Sequence, residues 1–202
     1  MIPLIYIAIL LTGCAPSLEK SWDWDDQDET TVELTDTAND SGDSSVQFKL
    51  RVDATSREDW VLLDLETGEI FGTEDPSGNM DWDIGIRRFV IQLNCPLNGP
   101  EDVSALIVQD DSYDDYEMAP IEGYSQDLED NNDDGVPEYV FNDWFNYDVE
   151  THILTPKDQF YVVRNRNDRF FKLQVENYYS SAGTSAMITL SWAEIFTNEQ
   201  TN

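Results

Sequence analysis

Strict alternation of apolar and polar residues constrains the fold of this chain more than any other feature. In the segment 169–178, Phe171, Leu173 and Val175 alternate with polar residues, and the same period of two recurs in 46–52 and 188–192. Successive side chains of a β-strand point to opposite faces, so this period predicts strands with one buried face. We therefore predict an all-β, mainly antiparallel fold.

Turn signals divide the alternating segments into further strands. Two more are predicted at 60–65 and 82–93, and the residues 165–168, Asn-Arg-Asn-Asp, predict a hairpin between 160–164 and 169–178. A short helix is predicted near 138–145 as a small helical addition. The sequence has no long amphipathic helix and no internal repeat, so we place a single domain at 46–196 and a tail at 197–202.

The N-terminus predicts a lipoprotein signal peptide at residues 1–13. An apolar run too short to span a bilayer ends in Leu-Thr-Gly-Cys, which looks like a bacterial lipobox with lipidation at Cys14. The apolar run lacks a preceding Lys or Arg, which leaves a non-lipidated secretory signal as the alternative. Ala15 follows the cysteine where Asp would favour retention in the inner membrane, so we expect an outer-membrane lipoprotein.

Residues 14–45 predict a disordered acidic tether between the lipid and the domain. Asp, Glu, Ser and Thr predominate there, and such a composition buries too little apolar surface to offset its ordering entropy. Trp22 and Trp24 lie within it and could alternatively dock a protein partner. With 42 acidic and 11 basic residues, the chain carries a formal charge of -31, which excludes nucleic acid and anionic lipid surfaces as partners.

A single thiol is left once Cys14 carries lipid. Cys95 then has no intramolecular disulfide partner, because the sequence contains two cysteines. We expect Cys95 to be a small, semi-buried residue at a strand end, and the alternative is a reactive thiol.

One short motif predicts a calcium loop. Residues 130–138, Asp-Asn-Asn-Asp-Asp-Gly-Val-Pro-Glu, fit the spacing D-x-N-x-D-G, in which alternate oxygens meet one hard cation and glycine permits the turn. The predicted ligands are Asp130, Asn132, Asp134, the carbonyl of Val136, and Glu138. Phe141 replaces the bidentate Glu of an EF-hand loop, and an acidic surface loop is the alternative.

The order and spacing of several segments resemble the HmuY-like family of surface lipoproteins, whose founding members bind haem. These segments are 82–89, 160–164, 170–179, Gly183 and 188–192. The resemblance implies a β-rich domain with small helical additions. It also implies haem or a related porphyrin as ligand, held in classical members by paired loop histidines and in some relatives by methionine.

The sequence departs from this family at the residues that would hold the iron. It contains one histidine, His152, so a pair of histidines cannot form within a monomer. The haem ligand candidates are His152 and Met118, and the alternative for His152 is a structural hydrogen bond. The candidates for binding haem propionates or another anion are Arg164, Arg166 and Arg169, with Lys172 nearby, and the alternative is that they neutralise surrounding acidic residues.

Other residue patterns give alternatives to haem. Arg87 and Arg88 are adjacent on the predicted strand, so one is expected to point inward and to pair with Asp81 or Asp83. Catalytic motifs are lacking, with no Ser-His-Asp spacing, nucleophile elbow or phosphate-binding glycine loop, so we expect no enzyme. The main alternative function is a structural or protein-interaction lipoprotein that keeps the fold without haem. A third is carbohydrate binding by the aromatic residues Trp22, Trp24, Tyr113, Tyr116 and Tyr124.

Overall fold

The computed structural model describes residues 31–38 and 44–197, with side chains from residue 47 onward. It contains twelve strands and confirms the predicted all-β, antiparallel class. They are β1 (Thr31–Ala38), β2 (Ser44–Asp53), β3 (Trp60–Leu63), β4 (Ile70–Thr73), β5 (Ile84–Arg87), β6 (Val90–Leu93), β7 (Ser104–Val108), β8 (Phe145–Asp148), β9 (Ile153–Pro156), β10 (Phe160–Arg164), β11 (Phe170–Tyr179) and β12 (Ser185–Ile195).

Two sheets and one separate hairpin organise these strands. The larger sheet has six strands in the order β1-β2-β12-β11-β10-β7, and the smaller has four in the order β4-β3-β5-β6. Strands β8 and β9 pair only with each other. All pairings between these strands are antiparallel.

One core joins the inner faces of the two sheets. Leu50, Leu173 and Trp192 come from the larger sheet and Ile84 and Leu93 from the smaller, and all are fully buried in the same cluster. The period of two is clear in β10: Tyr161 and Val163 face this core, whereas Phe160 and Val162 face a second cluster under the segment 109–124.

Residues 82–93 form a hairpin where the sequence predicted one strand. Strands β5 and β6 pair across the turn Arg88-Phe89, where Arg88 has a left-handed backbone with φ 57°. The turn is required because Ile84 and Ile86 share one strand parity and Ile91 and Leu93 the other, and a continuous strand would send them to opposite faces. In the hairpin, Ile84 pairs with Leu93, and all four residues enter the core.

Two further predictions differ from the structure. The predicted helix near 138–145 is wrong, because residues 140–143 form turns and no helix occurs in the described parts of the chain. Strand β1 lies inside the segment 14–45 that was predicted to be a disordered tether. Its residues 31–38, Thr-Val-Glu-Leu-Thr-Asp-Thr-Ala, alternate in the same way as other strands and pair along their whole length with β2.

Three remaining findings concern Cys95, the N-terminal residues and membrane-spanning helices. Cys95 is fully buried just after β6, and burial raises the pKa of its thiol, which favours the packing role over the reactive one. Trp22, Trp24 and the lipidation residue Cys14 lie outside the described residues. Within residues 31–38 and 44–197, no helix is long and apolar enough to cross a membrane.

Candidate functional site

The hairpin β8–β9 carries the chain's one histidine at its turn. His152 adopts a left-handed backbone with φ 59°, and its N–H donates to the carbonyl of Asp148 at 2.8 Å. The Asp148 carboxylate accepts the N–H groups of Glu150 and Thr151, and these hydrogen bonds lower its pKa. The turn is therefore fixed by local hydrogen bonds, and the imidazole stands exposed at the tip.

The base of this hairpin is anchored to the rest of the domain. Phe145 and Leu154 pack against the main core, and the N–H of Leu154 donates to the phenol oxygen of Tyr179 on β11 at 3.0 Å. The edge of Phe145 meets Phe89 in the β5–β6 turn, with ring centroids 5.9 Å apart. These contacts hold the hairpin at the end of the larger sheet where Tyr179 pairs with Ser185.

Apolar side chains beyond the anchored base lie open to solvent. Tyr147 is 49% exposed, Val149 73% and Ile153 48%, and Phe89 beside the hairpin is also exposed. We call these four residues together with His152 the hairpin surface. A soluble protein tolerates single exposed apolar residues, but several beside one imidazole mark a candidate binding surface.

Tyr147 contacts His152 directly on the hairpin surface. The phenol oxygen of Tyr147 lies 2.5 Å from Nδ1 of His152, and the two rings are tilted by 40°. Tyr147 belongs to β8, where it pairs with Leu154, so the turn that follows brings the two rings together. Tyr147 was not among the residues predicted from the sequence. The one sequence signal for it is its distance of five residues from His152 across the turn-forming residues 148–151.

Met118 lies at the other end of the larger sheet from His152. Met118 forms a β-bridge with Phe196, just after β12, whereas the His152 hairpin is bonded to Tyr179 opposite the first residue of β12. Ten residues of strand separate Ser185 from Ile195, which corresponds to roughly 30 Å at ~3.3 Å per residue. The structure therefore does not bring Met118 and His152 to one iron.

The three candidate arginines occupy the β10–β11 turn, at the same end as Met118. Arg164 pairs with Asp168, and Arg169 pairs with Glu66 at 2.6 Å and with Glu194. Lys172 is buried on the outer face of β11, where it donates to the carbonyl of Tyr113 at 2.7 Å. These contacts favour the alternative that the arginines neutralise acidic residues.

Arg166 lies between two carboxylates at strand ends of the smaller sheet, Asp64 after β3 and Asp83 before β5. Its guanidinium donates to Asp64 at 2.8 Å and to Asp83 at 3.0 Å, and all three side chains are largely buried. Burial raises the pKa of Asp83 to about 6, while the N–H of Leu65 and the charge of Arg166 act in the opposite direction. Arg166 therefore stabilises a buried charge and ties the β10–β11 turn to the smaller sheet.

The prediction that Arg87 or Arg88 pairs with Asp81 or Asp83 is wrong, because Arg166 occupies that place beside Asp83. Arg87 instead stacks on the ring of Trp60, with its guanidinium carbon 4.2 Å from the ring centroid. Arg88 lies in the turn and donates to the carbonyl of Thr55 and the hydroxyl of Ser185.

The predicted calcium loop is not supported as a metal site. In the described parts of the chain, no group of three or more His, Cys, Asp or Glu side chains is placed to hold a metal ion. Asp130 accepts the N–H groups of Asp134 and Gly135, and Asp134 accepts that of Val136. Gly135 has φ 87°, as the turn requires. The loop oxygens thus bind the loop's own backbone.

The aromatic residues proposed for carbohydrate stacking do not form an open platform. Tyr113 is buried, Tyr116 packs edge-on against Phe160, and Tyr124 packs against Phe170. These three tyrosines cover the outer face of the larger sheet, where they close the second apolar cluster. A carbohydrate platform needs free ring faces, so the structure does not favour this function.

Sequence comparison decides the family to which this fold belongs. The profile of the HmuY protein family matches residues 56–192, more than half of the chain. The chain belongs to the HmuY family. This match confirms the resemblance derived from the sequence segments, and it runs from before β3 into β12 and includes the β8–β9 hairpin. No curated protein matches the sequence significantly.

Solved structures share the fold at low sequence identity. A protein described as a HmuY-like heme binding protein from Bacteroides vulgatus is 18% identical with a TM-score of 0.55, covering 79% of this chain and 97% of that one. The apo HmuY analog of Tannerella forsythia is 15% identical with a TM-score of 0.58, covering 84% and 99%. A protein described as a lipoprotein from Bacteroides fragilis is 22% identical with a TM-score of 0.54, covering 72% and 89%. These similarities support the fold of this HmuY family member.

Proposed function

We propose that this HmuY family member is a non-enzymatic lipoprotein that captures haem or a related porphyrin on its hairpin surface. The observation that carries the proposal is the exposed His152 at the tip of an anchored hairpin, beside exposed apolar residues. A porphyrin offers a flat apolar face and an iron that accepts a nitrogen or oxygen ligand, and this surface provides both kinds of contact.

The residues of the hairpin surface fit haem from one face only. The one imidazole and the neighbouring phenol are donors suited to iron, and both lie on the same hairpin. Met118 lies next to Phe196 at the far end of the sheet, so it supplies no second ligand to the same iron. The protein would therefore provide an iron ligand on one side of the haem only. Bound haem would supply an iron centre that accepts this single ligand.

Attachment to the bacterial cell envelope is part of the same proposal. Cys14 is the residue to which lipid would be attached, and two or more acyl chains are enough for stable anchoring. The anchor is then the one contact with the membrane, and the outer membrane is the proposed location, because Ala15 follows the cysteine. Nucleic acid has no role in this function, and neither has calcium, because the oxygens of the 130–138 loop bind the loop's own backbone.

A second candidate function is protein interaction by a domain that keeps the fold without binding haem. The observation that favours it is the pairing of Arg164, Arg166 and Arg169 with acidic side chains, which leaves the propionate role to other residues. The exposed Val149 and Ile153 would then contact a protein partner.

A haemin titration of the full chain, followed by visible absorbance, separates the two functions. We expect a saturable shift of the Soret band that weakens in His152→Ala, because this substitution removes the imidazole and its contact with Tyr147. Met118→Leu is the matched control and should leave the titration unchanged. The absence of a saturable shift would refute haem binding, and a titration unaffected by His152→Ala would refute the hairpin surface as its site.

A further inference from the structure

The contact between Tyr147 and His152 indicates which atom of the hairpin surface meets iron. This inference rests on the proposed function and adds the identity of the ligand. The phenol oxygen and Nδ1 lie 2.5 Å apart, well within hydrogen-bond distance. Because the sequence contains one histidine, this is the one phenol–imidazole pair in the described part of the chain on which such chemistry can be built. Both side chains are exposed, so a ligand can reach them.

A hydrogen bond from the phenol to Nδ1 leaves the imidazole unable to bind metal. In a neutral imidazole one ring nitrogen carries the proton and the other accepts. If Nδ1 accepts from Tyr147, the proton is on Nε2, which then has no lone pair for iron. If instead Nδ1 donates to the phenol oxygen, Nε2 is available as a ligand. The direction of this one hydrogen bond decides between Tyr147 and His152.

The chemistry of ferric iron favours the phenol oxygen. Phenolate is an anionic oxygen ligand that serves ferric haem in other protein folds, but a free phenol holds its proton at neutral pH. A base within hydrogen-bond reach of such a weakly acidic hydroxyl accepts its proton as the oxygen bonds to iron. Catalytic hydroxyl groups are activated in the same way. His152 is positioned for this role with Nδ1 directed at the phenol oxygen.

We propose that Tyr147 ligates ferric haem through its phenolate oxygen and that His152 is the base that accepts the phenol proton. The O–H bond of Tyr147 breaks, an N–H bond forms at Nδ1, and the phenolate oxygen forms a bond to iron in place of the water or chloride of free haemin, which leaves to solvent. The imidazolium stays beside the phenolate and balances its charge. The iron is ferric before and after this step, so no oxidant or reductant is needed.

The hairpin geometry suits this assignment. Tyr147 lies on the same face of β8 as Phe145, whose ring packs against the core and fixes the strand. His152 is held by a left-handed turn with its N–H bonded to Asp148, so the base is positioned from the backbone. Phe89 contacts Phe145 on this face and is exposed, which provides apolar contact for a porphyrin.

The test compares Tyr147→Phe, His152→Gln and the control Met118→Leu in the full chain, with haemin and metal-free protoporphyrin as probes. Resonance Raman and visible spectra of the haemin complex report a phenolate–iron bond directly. We expect the parent and Met118→Leu complexes to show phenolate vibrations and a phenolate-to-iron charge-transfer band, and Tyr147→Phe to lose both. Loss of the ligand should weaken haemin binding by about tenfold or more, whereas protoporphyrin affinity should change by less than about twofold.

His152→Gln distinguishes the base from the ligand. We expect weaker haemin binding that keeps the phenolate vibrations in the complex that does form, because Tyr147 is still present. Saturable haemin binding without phenolate vibrations, or a spectrum unchanged in Tyr147→Phe, would overturn the assignment to Tyr147 and leave the proposed function standing. A parent chain that binds no haemin would overturn both.

Discussion

Replacing Arg166 by Met tests how the β10–β11 turn is attached to the smaller sheet. Methionine keeps much of the apolar stem and removes the guanidinium that bridges Asp64 and Asp83 at 2.8 and 3.0 Å. Asp83 is fully buried and would keep only backbone hydrogen bonds, from the N–H groups of Leu65 and of residue 166. Removing one partner of a buried ion pair costs about 3–5 kcal/mol, so we expect a loss of unfolding free energy in this range at neutral pH.

The loss should shrink at acidic pH. Burial raises the folded-state pKa of Asp83 from 3.8 to about 6, so the native state holds this proton more tightly than the unfolded chain does. The resulting stabilisation is complete below the unfolded pKa and is lost as the pH rises through about 6. Without Arg166 the pKa of Asp83 should rise further. Near pH 5 the carboxyl is then neutral, and the missing guanidinium costs less.

Urea unfolding followed by tryptophan fluorescence, at about pH 7.5 and about pH 5, measures both effects. Each variant is compared with the parent at the same pH, so contributions from unchanged carboxylates largely cancel. The matched control is Arg164→Met on the same turn, whose partner Asp168 is exposed, and its loss should be about 0–1 kcal/mol. A loss below about 1 kcal/mol for Arg166→Met at neutral pH, or an equal loss at both pH values, would refute the argument.

Three further substitutions test other contacts. Asp127→Asn should cost about 1–3 kcal/mol in urea unfolding at about pH 7.5, because both oxygens of this buried carboxylate accept hydrogen bonds and an amide cannot replace both. A loss below about 0.5 kcal/mol would contradict that cause. Lys172→Met leaves the Tyr113 carbonyl without its buried ammonium donor, so hydrogen exchange in 109–124 should accelerate while the main core stays protected. Uniform acceleration would instead indicate global destabilisation. Gly99→Ala places a Cβ 2.1 Å from the Asn94 side-chain oxygen, and we expect a lower thermal midpoint from a loss of about 1–3 kcal/mol, whereas Gly78→Ala, which meets no atom within 4 Å, should change it little.

The β5–β6 hairpin marks the limit of prediction from local patterns. The alternation in 82–93 predicted strand structure correctly, but the change of parity between Ile86 and Ile91 is a signal for the turn that the sequence prediction overlooked. The strand β1 was missed for a different reason. Its composition is acidic and typical of a tether. Its alternating residues form a strand because they pair with β2, and this pairing cannot be read from the segment alone.

The candidate site was predictable only in part. A single histidine in the sequence restricted any imidazole ligand to His152, and the structure places it on an exposed hairpin tip. Its partner Tyr147 depended on the turn that closes β8 onto β9. Met118 could not be placed from sequence, since its position beside Phe196 depends on how the segment 109–124 crosses the larger sheet.

The sequence by itself determined the all-β class, the inward faces of most strands and the family, because alternation and motif order are properties of residues close together in the chain. Only the tertiary structure decided which charges pair and which donors meet. Arg166 is far from Asp83 in sequence, and their contact depends on the packing of two sheets. Such pairs form where strand register and burial bring distant residues together, and burial then makes the pairing of each charge obligatory.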